Sequence, residues 1–440
     1  LFTAKQTGNA VNPTEESKQF IESFRLSAPY IHAHRKKTFV IMIDGSFIQS
    51  QKISSIIHDI TLLNTLGVRI VLVYGIRAQI EETLKERNIQ SDIHLGNRIT
   101  SIEVLDIIKQ ISGKCRFELE AQFSYGLPNT PMHGANIRTV SGNFITAKPL
   151  GVIEGRDFLF TGGVRKVDAQ AIEHLLSSNN IVMISNIGHS TTGECFNLAC
   201  EEVAISVASA LKADKFIVYA NNKDADNLPR ELVPTQAKTL LQDNKNYSLS
   251  CLLNACEVGV ERSHMINFDI DGALLLELFT TNGCGTLLSK NAFESIRDAN
   301  ISDVNSIIAL LEPLEEKGIL VKRERDILEQ EIEHFIVVER DGIVIGCSAL
   351  YPYDNNSAEI ACVVSHSDYR GGKRGAHMLA YLETKAKACD LQEVFVLTTQ
   401  TAHFFIEHGF NESSPDKLPA KKQALYNYQR NSKVFTKKLR

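Results

Sequence analysis

Runs of consecutive apolar residues alternate along this chain with stretches whose apolar positions recur every three or four residues. Thr38–Ile43 (TFVIMI), Val68–Tyr74 (VRIVLVY), Ile181–Ile184 and Lys215–Tyr219 read as strands buried on both faces. Glu16–His34 carries Phe20, Ile21, Phe24, Leu26 and Ile31 at helical spacing, with an interruption expected near Pro29. Ile53–Leu66 reads as an amphipathic helix closed by Gly67, Glu202–Leu211 as another, and Leu95–Asn136 as mostly helical. Buried strands alternating with helices predict βαβ units around a mainly parallel sheet. Residues 1–16 are polar and expected to be disordered.

The pattern changes after Lys290, with about three residues, Asn291–Phe293, as linker. FESIRDA opens a second α/β unit as a strand, and Asp303–Leu311 and Arg325–Glu333 follow as helices. Strands are expected at Phe335–Glu339, Ile343–Leu350, Glu359–Val364, Val394–Leu397 and Val434–Leu439, with a hairpin turn at Asp341-Gly342. Helices are expected after the third of these and at Thr401–Glu407. The domains are therefore 17–290 and 291–440.

Composition narrows the function. Lys plus Arg is 47 and Asp plus Glu is 52, a net charge of −5, which argues against a nucleic-acid partner. No apolar run approaches the roughly 18 residues of a membrane span. The polar start, without an apolar core or an initiator Met, does not read as a signal peptide; a cytoplasmic protein is expected. The nine cysteines form no CxxC pair and no zinc-ligand spacing, so reduced thiols and no metal are expected.

The chemistry concentrates in Glu359–Leu379, EIACVVSHSDYRGGKRGAHML. A short apolar strand runs into a glycine-rich turn and then a helix. Bare backbone N–H groups and the positive helix N-terminus suit a phosphate, and Arg370, Lys373 and Arg374 add full charges. On the glycines alone, an ordinary turn with a solvated basic face is the commoner reading. The stretch resembles motif A of the GNAT acetyltransferases, Q/R-x-x-G-x-G/A. Arg370 and Gly375 fit the pattern, while Lys373 occupies the first glycine position. The resemblance implies acetyl-CoA as co-substrate, held by Ala361, Cys362, Val363 and Val364 of the strand and by Arg370, Gly371, Gly372, Lys373, Arg374, Gly375 and Ala376 of the turn.

The first domain resembles the amino-acid kinase fold of acetylglutamate kinases through GVRIVLVYG, VSGNFITAKPLGVIEG and GGVRKVDAQAI, and the resemblance implies an αβα sandwich. Its phosphoryl-transfer chemistry reads as lost. Kinases carry Lys-x-Gly-Gly after the first strand; here Met42-Ile43-Asp44-Gly45 stands, and Met cannot neutralise phosphate charge. The kinase Asn-Ala-Asp segment reads Ala199-Cys200-Glu201, where Glu201 alone retains a metal-binding side chain.

A kinase-like domain joined to a GNAT domain resembles the bacterial N-acetylglutamate synthases, through RLSAPYI, GNFITAKPLGVIEG, PLEEKGIL, EIACVVS and RNSKV. The resemblance implies acetyl transfer to L-glutamate. It assigns Glu359 as the base that deprotonates the substrate ammonium and Arg323, Cys362, Arg430 and Ser432 to the glutamate site. Bidentate arginines suit a substrate with two carboxylates. Cys362 as a covalent nucleophile is discounted, because no histidine adjoins it and buried strand cysteines are usually inert. The tyrosine acid of many GNAT enzymes is absent from TTQTAHFFIEHGF. Thr398 is the candidate proton relay to the leaving thiolate, and His403 a weaker one.

The segment IDGALLLELFTTNGCGTLL matches one in arginine-sensitive relatives, which implies L-arginine as an inhibitor; the resemblance to the synthases implies a homo-oligomer, a hexamer, with the N-terminal helix around Ser23–Ile31 helping assembly. Glu277 offers a carboxylate at a helix end, Gly283 and Gly285 are expected to admit the ligand to the backbone, and Lys215 and Tyr30 to help. A plain glycine-capped helix reads from the same residues. A non-catalytic arginine-binding regulator and an acetylglutamate kinase are the rival readings of the whole chain.

Overall fold

A computed structural model describes residues 14–126, 132–225, 228–243, 245–280, 283–290, 294–340, 343–367, 374–424 and 432–439. The chain divides into two compact units, Leu1–Ala292 and Phe293–Arg440.

The first unit opens with α1 (Glu15–His34), capped by the Thr14 side chain. The expected interruption at Pro29 does not occur: the helix runs through it. Proline lacks one N–H and removes one intrahelical bond, which this 20-residue helix tolerates. There follow β1 (Thr38–Ile43), α2 (Ile53–Thr65), β2 (Arg69–Tyr74), α3 (Ile102–Phe123), β3 (Thr139–Ser141), β4 (Ile181–Ile184), α4 (Cys200–Ala210), β5 (Lys215–Ala220), β6 (Glu231–Leu232), β7 (Arg262–Asn267), α5 (Ala273–Phe279) and β8 (Thr286–Ser289). Of Leu95–Asn136, only α3 is helical among the described residues; Asn97–Arg98 pairs with Ile93–His94 as a small hairpin. The eight-stranded sheet has the order β6-β8-β7-β5-β1-β2-β4-β3, and only the β7–β8 pair is antiparallel. Alternation along each strand feeds two apolar layers. Phe39, Ile41, Ile43, Ile70, Leu72 and Tyr74 pack on one face, and Val40, Met42, Val71 and Val73 on the other. The sheet is thus covered on both sides by helices, as an αβα sandwich requires.

The second unit comprises β9 (Ser295–Asp298), α6 (Val304–Glu316), α7 (Arg325–Gln330), β10 (Phe335–Arg340), β11 (Ile343–Tyr353), β12 (Ser357–Ser365), α8 (Arg374–Ala388), β13 (Glu393–Thr398), α9 (Ala402–Glu407), β14 (Asn411–Ser413), α10 (Ala420–Ala424) and β15 (Lys433–Lys438). Its seven strands run β9-β10-β11-β12-β13-β15-β14, antiparallel except for β12–β13. Met378, Leu379 and Leu382 of α8 cover one face, and Val304, Ile307 and Leu311 of α6 the other. The expected hairpin turn at Asp341-Gly342 lies outside the described residues.

Two departures from regular pairing shape the site. The parallel ladder of β12 and β13 holds for three pairs, Ser357–Glu393, Ala358–Val394 and Glu359–Phe395, and then ends. Beyond Glu359 the strands are not paired with each other, so Ile360–Ser365 presents backbone N–H and C=O groups to the space between them. On its other edge, β12 carries a bulge: Ala361 faces Ala349 and Val364 faces Cys347, so Cys362 and Val363 oppose Ser348 alone. Cys362 adopts φ +53°, a left-handed conformation that costs a non-glycine residue about 1–3 kcal/mol. The bulge is held by the Ser348 hydroxyl, which donates to the Ala361 carbonyl at 3.0 Å.

Candidate active site

The split between β12 and β13 opens into a cleft of about 1040 Å³. Its walls are Ile360–Ser365, Val396–Thr398, the start of α8 at Arg374–Ala376, and Arg323, Lys422 and Ser432. Glu359 stands at the apex, where pairing stops, and is 7% exposed. Its Oε2 lies 2.6 Å from Lys422 Nζ and accepts from the Tyr353 hydroxyl at 3.4 Å.

The structure brings Glu359, Cys362, Arg323, Thr398 and Ser432 to this one cleft. Burial pushes the Cys362 thiol up to about 11, only partly offset by Arg323, so it stays a thiol at neutral pH. Burial disfavours the Arg323 charge, but neighbouring Cys362, Tyr351 and Glu331 outweigh it and hold the guanidinium more firmly protonated. Thr398 Oγ1 accepts from the N–H groups of Thr401 at 3.1 Å and Gln400 at 3.3 Å. Its proton is thereby left to the Thr401 hydroxyl, 3.0 Å away, or to a group in the cleft. His403 is exposed and is not among the residues lining the cleft, whereas His408 is.

At the N-terminus of α8, a Cβ on Gly375 would stand 2.8 Å from Phe404 Cζ, so a larger residue there would displace the ring. Arg374 Nε lies 2.7 Å from both carboxylate oxygens of Glu294, so this cation is at least partly spent inside the protein. Arg370, Gly371, Gly372, Lys373 and Arg430 lie outside the described residues. Lys422 and Tyr353 escaped the sequence reading. Lys422 belongs to the pair Lys421-Lys422 in a five-residue helix, which carries no signal to separate it from an ordinary surface lysine.

In the first unit, Met42 is 6% exposed and belongs to an apolar core layer. Asp44 is spent as a helix cap, accepting from the Ser46 N–H at 2.9 Å and its hydroxyl at 2.7 Å. The cavity beside them, lined also by Arg77 and Glu201, measures about 70 Å³. That is space for a few waters. Burial raises the pKa of Glu201. Among the described residues, no group of three or more His, Cys, Asp and Glu side chains is placed to hold a metal ion.

A second polar cluster surrounds Glu277 on α5. Its Oε2 accepts from the N–H groups of Cys284 and Gly285, each at 2.9 Å, and its Oε1 lies 2.7 Å from His264 Nδ1. Burial lowers the pKa of His264, so the neutral ring donates from Nδ1 and accepts from Lys215 Nζ at Nε2, 3.3 Å away. A Cβ on Gly283 would meet Glu277 Oε2 at 2.5 Å, and one on Gly285 the Met265 carbonyl at 2.3 Å. The glycines thus let the loop wrap the Glu277 carboxylate. Tyr30 sits half-buried on α1, which packs against α5.

His34, at the end of α1, donates from Nε2 to the Leu278 carbonyl of α5 at 2.8 Å. Burial, with Lys215 second, lowers its pKa to about 3. The unfolded chain therefore binds the extra proton between about 3 and 6.5, and stability rises with pH across that window. We expect His34→Gln, which keeps a donor, to lose up to ~1.4 kcal/mol per pH unit of that slope. Denaturant titrations between pH 4.5 and 6.5, both values chosen inside the window, check it; identical slopes refute it.

Known proteins resemble this chain in both units. The Amino acid kinase family pattern matches residues 37–224, and the Acetyltransferase (GNAT) family pattern residues 304–410. An amino-acid acetyltransferase of Pseudomonas putida strain GB-1 is 46% identical over 96% of this chain and 99% of its own. That of Azotobacter vinelandii strain DJ is 45% identical over 96% of this chain and all of its own. A crystal structure of N-acetylglutamate synthase from Neisseria gonorrhoeae, complexed with coenzyme A and L-arginine, superposes with a TM-score of 0.87 at 34% identity, covering 96% of this chain and 99% of that one. A second, complexed with coenzyme A and N-acetyl-glutamate, gives 0.60 at 35% identity and the same coverage. A split GNAT sheet joined to a kinase fold without the kinase lysine defines an acetyltransferase that takes acetyl-CoA as its co-substrate. The chain belongs to the amino-acid acetyltransferase family, the N-acetylglutamate synthases.

Proposed function

We propose that the second unit, 291–440, acetylates the α-amino group of L-glutamate, and that the first, 17–290, regulates it. One observation carries the catalytic reading: a buried carboxylate, Glu359, stands where the β12–β13 ladder opens. Glu359 takes a proton from the substrate ammonium, directly or through one water. The freed amine attacks the thioester carbonyl, a C–N bond forms, and the C–S bond breaks. Backbone N–H groups near Ala361–Val363 meet the developing oxyanion. On becoming an amide the nitrogen sheds a second proton, which Thr398 relays to the departing thiolate; that thiolate leaves readily without a strong acid. The elevated Cys362 thiol supports direct transfer over a covalent intermediate. The bulged strand and the start of α8, with Arg370–Ala376, hold the acetyl-CoA arm and pyrophosphate. Arg323, Arg430 and Ser432 hold the glutamate carboxylates.

L-Arginine, bound by the Neisseria relative, is the regulatory ligand, and the cluster of Glu277, Lys215, Tyr30, Gly283 and Gly285 is its site. The assembly is a homo-oligomer, a hexamer on family resemblance, with the exposed Phe20, Phe24 and Leu26 of α1 contributing to contacts. The compartment is the cytoplasm; no helix among the described residues is long and apolar enough to cross a membrane. The test is thiol release from acetyl-CoA with L-glutamate, with and without ATP. Release without ATP is the expected result. ATP-dependent phosphorylation of N-acetylglutamate without thiol release would make the chain a kinase, and arginine binding with neither reaction would make it a regulator.

A further inference from the structure

The Glu359 carboxylate is held by one oxygen. Lys422 Nζ, at 2.6 Å, and the Tyr353 hydroxyl, at 3.4 Å, both address Oε2. Among the described residues, Oε1 has no hydrogen-bond partner. Tyr353 is itself fixed, its ring 5.6 Å from that of Phe395, the residue directly across from Glu359 in the β12–β13 register. Burial, and then the Glu359 charge, raises the pKa of the Tyr353 hydroxyl, which therefore remains a donor at neutral pH. Lys422 comes from α10 and keeps only 22% of its side chain exposed. Two donors from separate elements thus fix one oxygen and leave the other open.

We infer that Lys422 is a positioning residue for acetyl transfer: with Tyr353 it pins Oε2 and thereby turns Oε1 to the substrate amine. This rests on the reading of Glu359 as the base. As the ammonium N–H bond breaks, the O–H bond forms on Oε1 and Oε2 becomes the carbonyl oxygen of the acid. Both donors still have an acceptor in that product state, so the rotamer survives the proton transfer. A carboxylate held by neither donor rotates about its last torsion, whose energy well is broad. Misplacing a reacting group by about 1 Å costs on the order of 10²-fold in rate.

The experiment compares steady-state kinetics of Lys422→Met, Lys422→Arg and Glu359→Gln. Lys422→Met is expected to lower kcat by about 10–100-fold with little change in either KM. Lys422→Arg should recover most of that loss, and propylammonium added to Lys422→Met should recover part of it. Propylammonium should do nothing for Glu359→Gln, which still has its lysine. A raised glutamate KM at unchanged kcat in Lys422→Met would make Lys422 a substrate-carboxylate contact and overturn the inference. So would a loss of kcat accompanied by a lowered Tm and unrelieved by arginine or propylammonium, which is the signature of a fold defect. Wild-type kcat in Glu359→Gln would instead remove the base itself. That outcome is distinct from a failure of Lys422→Met alone.

Discussion

Glu359→Gln is expected to lower kcat by roughly 10²–10⁴-fold, the usual worth of a positioned general base. The acetyl-CoA KM should hardly move, because Glu359 sits at the apex of the split and the groups proposed for the pyrophosphate lie at the start of α8. Gln has the shape of Glu and can still accept from Lys422 and Tyr353 through its amide oxygen, so the apex keeps its packing. It cannot take a proton from an ammonium. The Lys422 ammonium, left with a neutral partner, is partly exposed and remains solvated, so the variant should fold. The α-amino group loses its proton unaided at high pH, so the deficit should shrink as pH rises. A pH series of initial thiol-release rates for wild type and Glu359→Gln measures both effects. Equal kcat at neutral and at high pH would leave Glu359 with a packing role only.

The strands were legible because the sheet of the first unit is buried on both faces, and double burial writes itself as unbroken apolar runs such as TFVIMI. Glu359 stood out through its place at the start of an apolar strand and through the family resemblance that assigns it as the base. The cleft that gives it meaning was not. It arises where pairing stops after Glu359 and where Cys362 takes a left-handed φ, a conformation whose usual sequence marker is glycine. Pro29 gave a false break, since sequence alone cannot weigh one lost bond against the packing of a long helix. Lys422 was invisible because its meaning comes from a carboxylate more than sixty positions earlier in the chain. Gly283 and Gly285 were noticed for the ligand they were expected to admit; in the structure they make room for the Glu277 carboxylate of the protein itself.

That carboxylate supports the other large expected effect: loss of arginine inhibition in Glu277→Ala. Glu277 sits in the first unit, outside the machinery proposed for acetyl transfer, so the glutamate KM should be little altered. Its three bonds, to His264, Cys284 and Gly285, gather half-buried donors around one negative charge. A guanidinium brought to this cluster would meet that charge together with the carbonyls at the end of α5. Hydrogen bonds to charged groups contribute about 1.5–3 kcal/mol, so the half-inhibitory arginine concentration should rise by roughly 10–150-fold. Alanine also strands the Cys284 and Gly285 N–H groups, each at a cost of about 1–3 kcal/mol, so loop collapse alone would imitate loss of the site. Glu277→Gln separates the two, because its amide oxygen still accepts those N–H groups while its charge is gone. Arginine insensitivity in both variants, with the loop intact in Glu277→Gln by hydrogen exchange, places the ligand at the carboxylate. Inhibition requires further that arginine bind the less active conformation more tightly, since equal affinity for both shifts nothing. If arginine competes simply with glutamate and both variants remain as sensitive as wild type, the first unit is not the sensor.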